Sequence, residues 1–337
     1  MRLTNETPFA MERFVEVDRD AAEHLVVTLK GTWRLEEDGS LALAEEQPLP
    51  SPLDVFRGEP DASSILAEAE LAPLKPATEI LVAGHALAPR RGTRAMDVLV
   101  AVGPIRKLVR VFGERRFEKR LAGAKIAGPE PFERVELAWE NAYGGVDETP
   151  AEKHRSGDAF NPVGRGFRAK RSKLPVDEEL LPNVEYPDDP YDKPGKRVRP
   201  AGLGAICRHW MPRLSYAGTY DQEWLDDHFP FLPRDFDARF HHAASPDQIA
   251  RGYLRGGEPV ELVGLTPTGR AEFRLPEHHP VVSVKLRKRE ERAPAVLETI
   301  GFHSDSQELR LLWKARLRVH RELLDIRDIA CSLGGDA

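Results

Sequence analysis

Residues 309–319 read Leu-Arg-Leu-Leu-Trp-Lys-Ala-Arg-Leu-Arg-Val. Leu309, Leu311, Trp313, Ala315, Leu317 and Val319 share one parity, while Arg310, Lys314, Arg316 and Arg318 share the other, broken only by Leu312. Successive side chains of an extended chain point to opposite faces, so this alternation predicts a strand with one buried face. The cationic face is expected to be solvated and to blunt an exposed sheet edge.

The same period recurs on both sides of this stretch. Leu25–Leu35 alternates Leu25, Val27, Leu29, Gly31, Trp33 and Leu35 with polar or small partners and reads as a half-buried strand. Asp38-Gly39 then turns the chain, and Leu41 and Leu43 resume the pattern, which predicts a hairpin. Ile80–Gly84 reads as a short buried strand; Asp97–Val102 and Ile105–Phe112 flank a Gly103-Pro104 turn and suggest a second hairpin. Val135–Trp139, Val281–Leu286 and Val296–Phe302 continue the series. With 28 prolines and 26 glycines as well, the fold class is mainly β: antiparallel sheets in a sandwich or barrel-like arrangement, with few short helices.

Three regions follow. Residues 1–143 form an N-terminal β region, 144–260 a Pro- and Gly-rich central region, and 261–330 a C-terminal β region expected to join the first. Six prolines between Pro182 and Pro212 exclude a long helix or a central strand there. One short helix is expected over Asp221–Phe229, capped by Thr219 or Asp221. Aromatics such as Phe160, Tyr186, Trp210, Tyr220, Trp224 and Phe229 imply that the centre is packed and is not a solvated linker.

A formal charge of −6 argues against general nucleic-acid binding. The charge is uneven: eleven acidic residues lie between Glu36 and Glu79 against Arg57 and Lys75 only, which reads as an acidic surface. From Arg106 to Lys125 the balance is basic, and Lys107 and Arg115 are read as part of that surface. Cys207 and Cys331 are the only cysteines, so a disulfide framework is not expected. No run has signal-peptide or membrane-span length, and the expected location is the cytoplasm.

Searching for chemistry yields one weak constellation. Asp235, Asp237, His241 and His242 could form a mixed metal site for a hydrolase, although adjacent histidines on a strand diverge and Asp-x-Asp beside Pro233 is ordinary turn chemistry. There is no Gly-x-Ser-x-Gly elbow, and Cys207, two residues before His209, reads as a buried thiol. Gly164-Arg165-Gly166 and Gly202-Leu203-Gly204 do not continue as phosphate loops. No catalytic residue, metal or cofactor is assigned.

Several motifs occur in fixed order: Glu140-Asn141-Ala142-Tyr143-Gly144-Gly145, Asn161-Pro162-Val163-Gly164-Arg165-Gly166-Phe167, Tyr216-Ala217-Gly218-Thr219-Tyr220-Asp221, and Tyr253-Leu254-Arg255-Gly256-Gly257-Glu258-Pro259-Val260. Together they resemble a bacterial family long described as a domain of unknown function and found beside type VI secretion proteins. That resemblance implies a non-catalytic adaptor or chaperone, which binds a toxic effector and loads it onto the valine-glycine-repeat spike or its PAAR-type tip. Arg165, Tyr253, Arg255 and Glu258 are the candidate partner-binding residues. The alternatives are the metal-assisted hydrolase and a structural component of the spike or baseplate.

Overall fold

A computed structural model describes residues 2–121, 123–177 and 179–334. Its centre is a six-stranded sheet. Five strands run in the order Ala10–Val17, Glu23–Leu35, Glu308–Arg318, Val296–His303 and Glu79–Ala83, and Leu41–Leu43 hairpins back onto Glu23–Leu35. All pairs are antiparallel except the last, where Ile300 pairs with Ile80 in parallel register. A second sheet orders Val184–Glu185, Ile105–Phe112, Ala95–Val102, Pro259–Val263 and Arg270–Arg274, and a third orders Arg2–Asn5, Asp328–Leu333, Pro280–Lys285 and Glu290–Pro294. Among the described residues no sheet closes into a barrel.

One continuous apolar core joins the three sheets. It includes Leu25, Val27 and Leu29, Val98 and Val100, and Val282, Val284 and Ile329, with Val184, Ala201, Leu203 and Ala250 added by the central region. Trp313, Trp33 and Phe9 meet within it, Phe9 stacking on Trp313 at 5.1 Å between ring centroids. Such contact between large rings adds to the hydrophobic gain from removing them from water. Two smaller clusters lie under the central segments, one around Trp139 and Trp210, the other around Phe117, Tyr143 and Tyr191. The short helix spans Gln222–Asp227, and the Asp221 carboxylate accepts the Trp224 amide at 2.9 Å.

Two expectations about strand faces fail in part for one reason, although Arg316 and Arg318 of the cationic face are exposed as expected. Glu308–Arg318 is a central strand, not an edge, since it lies between Glu23–Leu35 and Val296–His303. Glu23–Leu35 is buried on both faces, with Thr28, Lys30 and Thr32 as inaccessible as the leucines. The covering layer is the acidic stretch itself: Glu70 takes the Lys30 ammonium at 2.7 Å, and the Ala72 carbonyl accepts Lys314 at 2.7 Å. A polar strand face can be buried when a second polar segment satisfies it. Alternation shows that the two faces differ but does not show which of them meets water.

Candidate partner-binding site

On that covered face the side chains form a closed ionic network. Lys75 donates to Glu68 at 2.9 Å, Glu79 at 2.6 Å and Thr299 at 3.1 Å. Lys314 pairs with Glu298 at 2.7 Å, and Arg213 reaches Glu68 at 3.1 Å. Glu298 sits at a bulge between Leu297 and Thr299, an irregularity that re-aims a side chain. Three cations thus face three carboxylates, all buried. Burial by itself lowers the Lys75 pKa, but the charges of Glu68, Glu79 and Glu298 outweigh it and hold the pKa above the ordinary lysine value.

The network fastens the central region to the sheet. Glu79 accepts the His242 ring at 3.2 Å and the amides of Ala243 and Ala244 at 2.8 and 3.0 Å. Arg213 donates to the carbonyls of Ile206 and Phe240, and the Tyr253 hydroxyl donates to the Lys75 carbonyl. The four residues of the metal reading are used separately. Asp235 accepts the Thr219 amide and hydroxyl, Asp237 caps the turn Ala238–His241 and pairs with Arg239, His241 packs on Phe236, and His242 faces Glu79. Among the described residues no group of three or more His, Cys, Asp or Glu side chains is placed to hold a metal.

Three of the four residues proposed for partner contact have internal duties. The Arg165 guanidinium donates to the Glu140 carbonyl at 3.0 Å and to the side chains of Asn183 and Asn141 at 3.0 and 2.8 Å. Glu258 accepts the amides of Arg255 and Gly256, each at 2.9 Å, which fixes the Gly-Gly turn. Tyr253 is tied to Lys75, and burial raises its pKa to about 12. Arg255 is exposed, and among the described residues its guanidinium has no partner. Gly144 is a glycine by necessity, since a Cβ there would stand 2.1 Å from the Asn161 carbonyl oxygen. Arg165→Ala is therefore expected to lower unfolding free energy by about 1–2 kcal/mol, because three acceptors lose a charged donor. Urea denaturation of both proteins measures this, and an unchanged midpoint would remove the clamp role.

Residues that flank the first two motifs, Trp139 and Phe160, join the segments 186–212 and 245–247 around a cleft of about 550 Å³, a size typical of ligand pockets, roughly 300–1,000 Å³. Buried Trp139, Val198 and Ile206 supply apolar lining, Tyr186, Met211 and Pro246 line it too, and half-exposed Phe160 completes the apolar set. Tyr186 is held in place: its hydroxyl donates to Asp247 at 2.8 Å, and the Arg199 guanidinium lies 4.5 Å from its ring centroid. The other Asp247 oxygen accepts Lys107 at 3.0 Å, and Lys107 also donates to the Gly202 carbonyl and to Gln248. Burial pushes the Lys107 pKa down to about 8 against the pull of Asp247.

Lys107 and Arg115 correct the reading of a basic surface. Lys107 shares its strand face with Ile105, Val109 and Val111, all buried. Arg115 is buried on Glu185 at 2.5 Å. The period-two position of Lys107 was the available signal, whereas nothing local in the sequence joins Phe160, Tyr186 and Asp247.

The fold and the cleft define a β-rich scaffold with an open, apolar recess built by its irregular middle. The chain belongs to a family described as an uncharacterized protein conserved in bacteria (DUF2169), which matches residues 20–314. No curated protein and no solved structure shows significant similarity to it.

Proposed function

We propose that this protein is a non-catalytic adaptor that holds a secreted effector and delivers it to the type VI spike, with the cleft between Phe160, Tyr186 and Met211 receiving apolar side chains of the partner. The observation that supports this reading most is the chemistry of the cleft. Its polar groups already have partners within the chain, Tyr186 on Asp247, Arg199 on Asp189, Arg197 on the Arg168 carbonyl and Asp158 on the Phe160 amide, while its lining is largely apolar and Phe160 is half exposed at its edge. Rigid aromatic anchors beside fixed charges are what partner recognition uses. The motif order that resembles the type VI family points the same way, and exposed Arg255 offers a rim charge.

The test is co-purification with the effector encoded beside it. Phe160 is half exposed, so Phe160→Asp leaves the core intact and is expected to weaken capture at least tenfold, about 1.4 kcal/mol. Arg255→Ala should alter mainly the association rate and its salt dependence. Capture undiminished by Phe160→Asp would reject the cleft. A wild-type chain that retains neither effector nor spike protein would reject the adaptor role.

A further inference from the structure

Residues 214–241 form an arm that contributes to none of the three apolar clusters. Ten large apolar side chains occur in it, from Leu214 to Phe240, yet Pro233 is its only buried residue. Tyr220, Trp224 and Phe229 pack edge to face at 4.8 and 5.6 Å, and Tyr220, Leu225 and Phe229 remain 54%, 51% and 62% exposed. Contiguous apolar surface of this kind marks contact sites. Around it stand Asp221, Glu223, Asp226 and Asp227, with no lysine or arginine between Thr219 and Pro233, and Arg234 beside Asp235 is the cation that lines the same recess. Among the described residues none of these four carboxylates is in an ion pair. Asp226 and Asp227 also occupy the last turn of the helix, where a cation is the favoured neighbour.

We infer that this arm is a docking surface for a basic, apolar protein segment, one that alternates Lys or Arg with large aliphatic residues. Its cations would pair with the four carboxylates and lie over the rings of Tyr220 and Trp224, while its aliphatic side chains cover Leu225 and Phe229. The arm is separate from the cleft, and the inference stands or falls without the type VI role.

The probe is a fluorescein-labelled helical 14-mer of leucine and lysine, with a leucine and glutamate peptide of the same pattern as control, read by fluorescence polarisation against the full chain. The basic peptide is expected to bind at low salt, to weaken as salt rises, and to lose at least tenfold in affinity with Glu223→Lys/Asp227→Lys. Both positions are exposed and carry no internal hydrogen bond among those described, so the double variant keeps the fold. Phe229→Ser should lose affinity because it removes apolar surface from the patch, and Phe160→Asp should leave it unchanged. No binding of the basic peptide, equal binding of the acidic one, or indifference to the charge reversal would overturn the inference. So would a concentration-dependent dimer abolished by Phe229→Ser, which assigns the surface to a second copy.

Discussion

Glu79→Ala is expected to lower the unfolding free energy by about 3–5 kcal/mol, the cost of stranding a buried charge when its partner is removed. The Glu79 side chain is fully buried and uses both oxygens, one on Lys75 and the other on the His242 ring and the amides of Ala243 and Ala244. Burial alone would raise its pKa, but Lys75 and His242 outweigh that and hold the carboxyl well below its usual range. Alanine leaves three cations facing two carboxylates and orphans two backbone donors, each of which costs about 1–3 kcal/mol when unsatisfied. Glu79→Gln keeps the shape and some acceptors and should lose about half as much. Urea denaturation monitored by tryptophan fluorescence gives the values; a loss below about 1 kcal/mol for the alanine variant would show that the network is not closed in solution. Because Glu79 holds Ala243 and Ala244, and Arg213 of the same network holds Ile206, loosening should spread to the cleft, so the partner capture proposed for it should weaken along with stability.

That coupling also shows where the sequence is legible. Strand positions were readable because alternation is local: Leu25–Leu35 and Ile105–Phe112 fall within strands, and Leu309–Val319 does so up to Arg318. The capped helix was readable for the same reason, since Asp221 and Trp224 lie three residues apart. What covers a strand was not readable. Thr28, Lys30 and Lys314 look solvated until Glu70, Ala72 and Glu298 are brought over them from elsewhere in the chain. The candidate site suffered equally. Arg165, Tyr253 and Glu258 were conspicuous as motif residues, yet their polar atoms turn inward. Phe160, Tyr186 and Asp247 come from three separate loops, and their meeting depends on the fold of the whole middle region. Only Lys107 offered a local clue, because it stands in phase with buried Ile105, Val109 and Val111.

Lowering the pH from 7 to 4.5 should destabilise the protein by about 2 kcal/mol through His241 alone. Burial, and then the positive charges of Arg213, Lys75, Lys314 and Arg208, push its pKa down to about 3, against an ordinary value of 6.5. Between pH 6.5 and 3 the unfolded chain therefore takes up a proton that the folded chain refuses, so stability is lost as pH falls through that window. At about 1.36 kcal/mol per pH unit the full loss at pH 4.5 would be roughly 2.7 kcal/mol, and partial exposure of the ring reduces it. The carboxylates respond in a lower window, since a depressed group such as Glu79 gives up its contribution only as pH drops below its unfolded value of 4.5. His241→Gln separates the two, because glutamine cannot titrate and the carboxylates are common to both proteins. Unfolding free energies at pH 7, 6 and 4.5 should fall more steeply for the wild type, with the gap between the proteins changing by about 2 kcal/mol across the range. Parallel pH profiles would mean that the His241 ring reaches solvent when protonated, and that the cations beneath it are screened from that position.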